Sequence, residues 1–185
     1  SSDNTVSDDS SSDETSNVSS STVVIGDEIN ITINGKSSYT IVASLANDGY
    51  DQARLVQKVI RATSGASIPF ITDYETKTGP EIIVGDTSRP LSESLKESLG
   101  SNEYIINVTE EGDIYIVGKS LIALEKGTTK FLSDYFGYDE NATAVGKEKP
   151  IPAKLNQKGN ILEEYKLVWG DEFDSNTLDT DKWGF

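Results

Sequence analysis

Three residue types are missing altogether: the 185-residue chain contains no cysteine, no histidine and no methionine. Without Cys or His there is no thiol nucleophile, no imidazole base, no disulfide and no ordinary zinc or haem site. Any chemistry falls to carboxylates, hydroxyls and amines. Basic residues are scarce as well, 16 against 31 acids, for a formal charge of −15. Binding nucleic acid takes clustered cations that displace counterions from phosphate, and no stretch supplies such a cluster. An anionic membrane surface is disfavoured for the same reason. No apolar run approaches the roughly 18 residues of a membrane span, and no positively charged start leads into an apolar signal segment. Since a complete translated chain begins with Met, the sequence reads as a processed or excised piece whose targeting signal is gone.

The charge is unevenly placed. Residues 1–22 hold ten Ser, five acids and no Lys or Arg, with Val6 and Val18 as the only sizeable apolar side chains. Such a segment cannot bury enough apolar area to offset its conformational entropy, so a disordered linker is expected there. Residues 163–185 carry seven acids and two Lys, whereas the region between spreads 19 acids and 14 bases over 140 residues. That centre has an ordinary globular composition.

Along the centre, Ile29, Ile31 and Ile33 alternate with polar residues before Asn34-Gly35, a pair that accepts positive φ and predicts a hairpin returning through Tyr39 to Val42. Ala53, Leu55, Val56, Val59 and Ile60 form a helical stripe over 51–63, capped by Asn47 or Asp48 and closed by Gly65. A short strand is expected at 68–71 and a doubly covered one at Glu81-Ile-Ile-Val84. Pro90 is placed to open a helix through Leu91, Leu95 and Leu99. Residues 103–108 and 113–117 read as a strand pair joined by a turn ending in Gly112, and 121–136 as a helix stopped by Gly137. Gly127 interrupts that helix at a cost of about 1 kcal/mol relative to Ala, which close packing against a sheet would explain. Strands interleaved with helices predict an α/β domain, a mixed β-sheet covered by helices, over 23–146. Residues 147–162, with four Lys, Pro150 and Pro152 and no clear period, read as a connector.

The run Glu81-Ile-Ile-Val-Gly85-Asp86-Thr87-Ser88-Arg89-Pro90, then Glu103-Tyr-Ile-Ile, Gly112-Asp-Ile-Tyr-Ile-Val-Gly118, Gly127 and Phe131-Leu-Ser-Asp-Tyr-Phe-Gly137, resembles the small α/β domain that precedes the catalytic barrel in bacterial α-glucuronidases and β-N-acetylhexosaminidases. The resemblance covers roughly 39–137 and implies an accessory domain without catalytic residues. Its most polar constellation is the Gly-Asp-Thr-Ser-Arg-Pro turn. Asp86, Thr87 and Arg89 are the candidate substrate-binding residues, contacting a sugar or an adjoining domain. The competing reading is turn chemistry alone, in which Gly85 makes the turn, Asp86 bonds local backbone and Pro90 starts a helix; it leaves only Arg89 unexplained.

Near the end, Tyr165-Lys-Leu-Val-Trp169-Gly-Asp171-Glu172-Phe173-Asp174, followed by Leu178-Asp179 and Trp183, is similar to the opening of a glycoside hydrolase family 16 catalytic domain. That resemblance implies the first strand of a truncated β-sandwich of jelly-roll type over 163–185. It also implies a parent enzyme that cleaves β-glucans or galactans with retention and whose catalytic domain continues past Phe185. Retaining glycosidases place two carboxylates about 5 to 5.5 Å apart, which the family supplies from Glu-x-Asp-x-x-Glu or a form one spacer shorter. Glu111-Gly-Asp113-Ile-Tyr-Ile116 and Glu172-Phe-Asp174-Ser-Asn-Thr177 come near, but each lacks the second Glu. No catalytic residue is assigned.

Acidic residues over 171–181 lack EF-hand spacing, so no metal ligand is nominated and no cofactor is expected; some members of the resembled family bind calcium on the sandwich, so the resemblance leaves calcium open for the missing catalytic domain alone. Tyr39, Tyr50, Tyr74 and Tyr138 lie near expected element ends, where exposed rings could stack on a pyranose, although core or capping roles are commoner for any one Tyr. Asn17, Asn30, Asn107 and Asn141 stand in Asn-x-Ser/Thr sequons. The expected protein is a monomeric, extracellular or cell-surface accessory region with polysaccharide, a β-glucan, as the partner of its parent. The alternative is a carbohydrate-binding or cell-surface interaction module.

Overall fold

The computed structural model describes residues 24–46, 49–142 and 145–163. The linker expected at 1–22, the cap at Asn47 or Asp48 and the family 16 motif from Tyr165 onward lie outside them. The described chain is mixed α/β: a six-stranded sheet with helices on both faces, and a smaller three-stranded sheet beside it.

The elements are β1 (Val24–Ile25), β2 (Glu28–Ile29), β3 (Thr40–Ala43), α1 (Gly49–Ser64), β4 (Phe70–Thr72), β5 (Glu81–Val84), α2 (Ser92–Glu97), β6 (Glu103–Val108), β7 (Ile114–Gly118), α3 (Leu121–Phe136), β8 (Ile151–Pro152) and β9 (Asn156–Asn160). The large sheet runs β4-β3-β5-β7-β6-β9. Its first four strands are parallel, and β6 and β9 are antiparallel additions. Parallel strands need covering on both faces, which is why Ile41-Val42-Ala43 and Ile82-Ile83-Val84 are apolar without alternation, every one of these residues being buried.

Alternate side chains divide between the two faces. Ile41, Ala43, Ile82, Val84, Ile106, Ile114 and Ile116 face α1 and α3, meeting Ala53, Val56 and Ile60 from the first helix and Leu124, Phe131 and Phe136 from the other. Each such aliphatic or aromatic side chain, fully buried, contributes about 1.5–3 kcal/mol. Val42, Ile83, Ile105, Tyr115 and Val117 face the other way, under Leu99 and the partly buried Leu95 of α2. The 3.6-residue stripes of α1 and α3 thus fall where periodicity put them. The α2 helix is shorter than expected, six residues that begin two positions after Pro90.

Two expectations need correction. Asn34 and Gly35 do adopt positive φ, 52° and 72°, with Ile33 and Lys36 exchanging backbone hydrogen bonds. Only that single bridge forms, however, and no hairpin develops from it. The preceding strand β2 pairs with β1 and β8, while β3 enters the large sheet between β4 and β5. The run Ile41-Val42-Ala43 has two faces to bury, and a two-stranded ribbon covers only one. The stretch 147–162, expected to be a connector, supplies an element to each sheet: Ile29 pairs with Ile151, and β9 pairs with β6 from Asn107↔Asn156 to Glu103↔Asn160. Its polar sequence Asn-Gln-Lys-Gly-Asn suits an edge strand, for which alternation of apolar residues is not required.

Candidate functional site

The candidate turn leaves the C-terminal end of β5. Gly85 has φ 79°, and a Cβ there would stand 3.1 Å from Gly49 Cα and 3.2 Å from Leu124 Cδ2, so the position needs glycine for conformation and for space. Its N–H donates to Ile116 O at 2.8 Å, tying the turn to β7. The Thr87 and Ser92 hydroxyls lie 2.6 Å apart in a buried contact that holds the turn against the start of α2. Ser88 is fixed to the loop after β4, its N–H donating to Asp73 Oδ2 and its hydroxyl to Asp73 O, both at 2.8 Å. Asp86 pairs with Lys96 of α2 at 2.6 Å.

Arg89 is turned inward. Its Nε and Nη2 donate to the two carboxylate oxygens of Glu81 at 2.7 and 2.8 Å, and Nη1 donates to Asp73 O at 2.9 Å. This is a two-pronged pair in which the Glu81 side chain is only 2% exposed and the Arg89 side chain 11%. The Glu81 carboxylate holds the guanidinium even more firmly protonated than usual. Beside it, Asp113 accepts from Glu81 N–H at 2.9 Å and pairs with Lys77. The near-match to a catalytic motif at Glu111 and Asp113 is therefore a brace at the start of β5 and β7. Asp73 Oδ1 is the one buried side-chain oxygen or nitrogen without a hydrogen-bond partner among the described residues.

Of the sequence candidates, the structure brings Asp86, Thr87 and Arg89 into one turn but disperses their side chains: Asp86 toward α2, Thr87 into the turn's interior, Arg89 under the sheet. Tyr39 is no exposed platform. It is 1% exposed, its hydroxyl donates to Gly112 O at 2.9 Å, and burial with the nearby Asp113 and Glu148 carboxylates pushes its phenol well above the usual range. Tyr138 is half-buried against the core. Tyr74 is exposed, and Tyr50 packs edge-on against Phe70 with the Arg54 guanidinium near both rings.

Sequence reasoning passed over Asp73, Lys77 and Glu81. The available signal was a glutamate opening a strand that must be covered on both faces: a buried carboxylate needs a cation, and only three Arg exist in the chain. It also passed over Glu148, which accepts the N–H groups of Ile31 and Thr32 at 2.7 and 3.0 Å and the Thr32 hydroxyl, joining the end of the small sheet to the strand-bearing tail.

The turn borders a concavity of about 350 Å³ lined by Asp86, Thr87, Glu93, Lys96, Glu97 and Lys119, and two further concavities lie on the same unit. One, of about 230 Å³, lies at the C-terminal ends of β5 and β7 between the first turns of α1 and α3, lined among others by Asp86, Lys96, Lys119 and Ser120. Its polar groups are engaged: Lys119 Nζ donates to Lys96 O at 3.0 Å, and Ser120 Oγ caps α3 by accepting from Ala123 N–H. The other, of about 380 Å³, follows the outer face of α1 along Arg54, Gln57, Lys58 and Arg61. Among the described residues no group of three or more acidic side chains is placed to hold a metal ion, and no helix is long and apolar enough to cross a membrane.

No protein-family model matches the chain, and no curated protein matches it. Among solved structures, the chain is similar to a family GH115 4-O-methyl-α-glucuronidase with specificity for decorated arabinogalactans, at 16% identity and a TM-score of 0.49. The match covers 68% of this chain and 17% of that one, so the chain spans about a sixth of that enzyme's length.

Proposed function

We propose that this chain is the N-terminal accessory region of a secreted, polysaccharide-degrading glycoside hydrolase of family 16 type, and that the α/β unit is itself non-catalytic. The observation that carries the reading is the inward commitment of Arg89. The residue that turn chemistry left unexplained is spent on Glu81 and on Asp73 O, and the other polar side chains of the turn are engaged as well, Asp86 by Lys96, Thr87 by Ser92 and Ser88 by Asp73. An arginine side chain that is 11% exposed, with three of its five N–H donors committed to Glu81 and Asp73, is turned away from the solvent side where a sugar would approach. The Asp113 carboxylate, the nearest approach to a catalytic motif in the described region, is likewise held by Glu81 N–H and Lys77. On this reading the carboxylates that cleave the glucan belong to the domain that the Trp169-Gly-Asp-Glu-Phe173 motif opens.

A specific observation favours one rival, a glycan-binding module. Tyr50, Phe70 and Arg54 form an amphipathic spot beside the groove that continues along Lys58 and Arg61, the combination of ring face and hydrogen-bond donors that suits a pyranose. Native electrophoresis in gels cast with laminarin, lichenan or arabinogalactan separates the two, together with a reducing-sugar assay on each polymer. The accessory reading expects no sugar release and unchanged mobility. Retardation abolished by Tyr50→Ala would establish the binding module instead, and sugar release by the 185-residue chain would overturn both.

A further inference from the structure

The outer face of α1 differs in charge from the acidic chain that carries it. Over Gly49–Ser64 the helix holds one acid, Asp51, against Arg54, Lys58 and Arg61, in a protein of formal charge −15. The three cations recur at i, i+4 and i+7, so they line one side of the helix over about 10 Å. All three are exposed, and with Gln57 and Ser67 they line the groove of about 380 Å³ on that side, with no carboxylate among the lining residues. Lys77, Arg89, Lys96 and Lys130 are each paired with an acid, whereas Arg54, Lys58 and Arg61 are in no ion pair among the described residues. Glu140 borders a second concavity that also touches Lys58, and it makes no ion pair with that lysine.

Arg54 is held in place without being neutralised. Its Nη1 donates to Gln57 Oε1 at 2.8 Å, and Gln57 is itself anchored, Nε2 donating to Ile68 O at 2.6 Å. The guanidinium carbon lies 6.0 Å from the Tyr50 ring centroid and 5.8 Å from that of Phe70, and the two rings meet edge-on. A guanidinium fixed in this way keeps its remaining N–H groups for an incoming anion, and a planar carboxylate matches its fork. Three cations over about 10 Å make too short a row for a nucleic-acid duplex or a membrane surface, each of which is held through many phosphate contacts at once. They suit a chain whose charges recur from one sugar ring to the next and whose ring faces can rest on an aromatic side chain.

We propose that the face of α1 bearing Arg54, Lys58 and Arg61 binds an acidic polysaccharide, one carrying uronate carboxylates, with Arg54 gripping a carboxylate and the Tyr50 ring supporting the sugar beside it. The inference rests on the accessory reading only for the choice of a glycan, and it goes beyond that reading by naming a partner other than the neutral glucan that the parent would cleave. Titration calorimetry of the full 185-residue chain at low ionic strength, with trigalacturonate, its methyl ester and laminaritriose as probes, tests it. Saturable binding is expected for trigalacturonate alone, weakening as salt is added. Arg54→Gln and Arg61→Gln should each weaken it about tenfold. Arg54→Lys should lose less than Arg54→Gln, because it keeps the charge without the fork. Lys158→Gln, on β9 at the opposite edge of the sheet from β4, should change nothing. Far-UV circular dichroism checks that each variant is folded; should an arginine variant not be, Lys58→Gln decides by the same loss of binding. Absence of trigalacturonate binding would overturn the proposal. So would equal binding of the uncharged methyl ester or of laminaritriose, or equal weakening by Lys158→Gln, which would mean diffuse attraction without a site. The accessory reading fails on a different result, sugar release from laminarin, which these titrations do not measure.

Discussion

At the scale of single residues, Arg89 decides how the polar turn is read. Its guanidinium and the Glu81 carboxylate are both withdrawn from solvent, so removing one leaves the other buried and uncompensated. Breaking such a pair costs about 3–5 kcal/mol, whereas replacing both partners with apolar groups costs far less. Arg89→Ala and Glu81→Ala should each lower the urea unfolding free energy by about 3 kcal/mol or more. Arg89→Leu/Glu81→Leu should lose less than either single change, and Arg89→Lys should recover only part, since an ammonium cannot grip two oxygens at once. A double variant at least as damaging as the sum of the single changes would show that the pair is not coupled. The sequence made Arg89 visible as the residue without a turn role. It could not show the partner, because Glu81 lies eight residues upstream and meets Arg89 only when the chain reverses over the sheet after β5.

At the scale of elements, local pattern was legible wherever a stripe or a run answered to one burial demand. The 3.6-residue periods of α1 and α3 and the unbroken apolar run of β5 each dictated their own element. The β9 strand had no such signature. Its placement rests on Gly159, across which Tyr104 of β6 lies: a Cβ at Gly159 would overlap the Tyr104 ring at Cζ. The same ring meets α3 from above, where a Cβ at Gly127 would stand 3.0 Å from Tyr104 Cβ, Cγ and Cδ2. An aromatic laid over a cross-strand glycine covers otherwise bare backbone and pins register. With glycines on both sides, the 2% exposed Tyr104 has little room to give way. Gly159→Ala should therefore cost about 1–3 kcal/mol from overpacking. Gly127→Ala should cost less, because the helix gains about 1 kcal/mol from the same substitution. Thermal and urea unfolding of the two variants gives the order, and a neutral Gly159→Ala would mean that the ring swings out of the way. Gly127 was singled out in sequence as a costly helix glycine; Gly159 was not, because a glycine in a polar stretch looks like any loop residue.

At the scale of the whole molecule, the question is where the folding unit stops. Composition placed the boundary near Gly146, and β8 and β9 reverse the expectation for a physical reason: edge strands complete a sheet through backbone bonds, and backbone leaves no trace in composition. Without residues 147–163 the chain loses the buried side chains of Ile151 and Ile161, the Glu148 carboxylate that satisfies Ile31 and Thr32, and the partner of β6. Burial of the two isoleucines alone contributes about 3–6 kcal/mol, a large share of the roughly 5–15 kcal/mol by which domains are ordinarily stable. Removal also leaves β6, with its buried Ile105 and Ile106, as an unpaired edge open to intermolecular pairing. A chain ending at Gly146 should therefore unfold at much lower urea, or aggregate, while one ending at Glu163 should unfold in a single cooperative transition. Equal midpoints for the two, by circular dichroism and size-exclusion chromatography, would mean that β8 and β9 only decorate a domain complete without them.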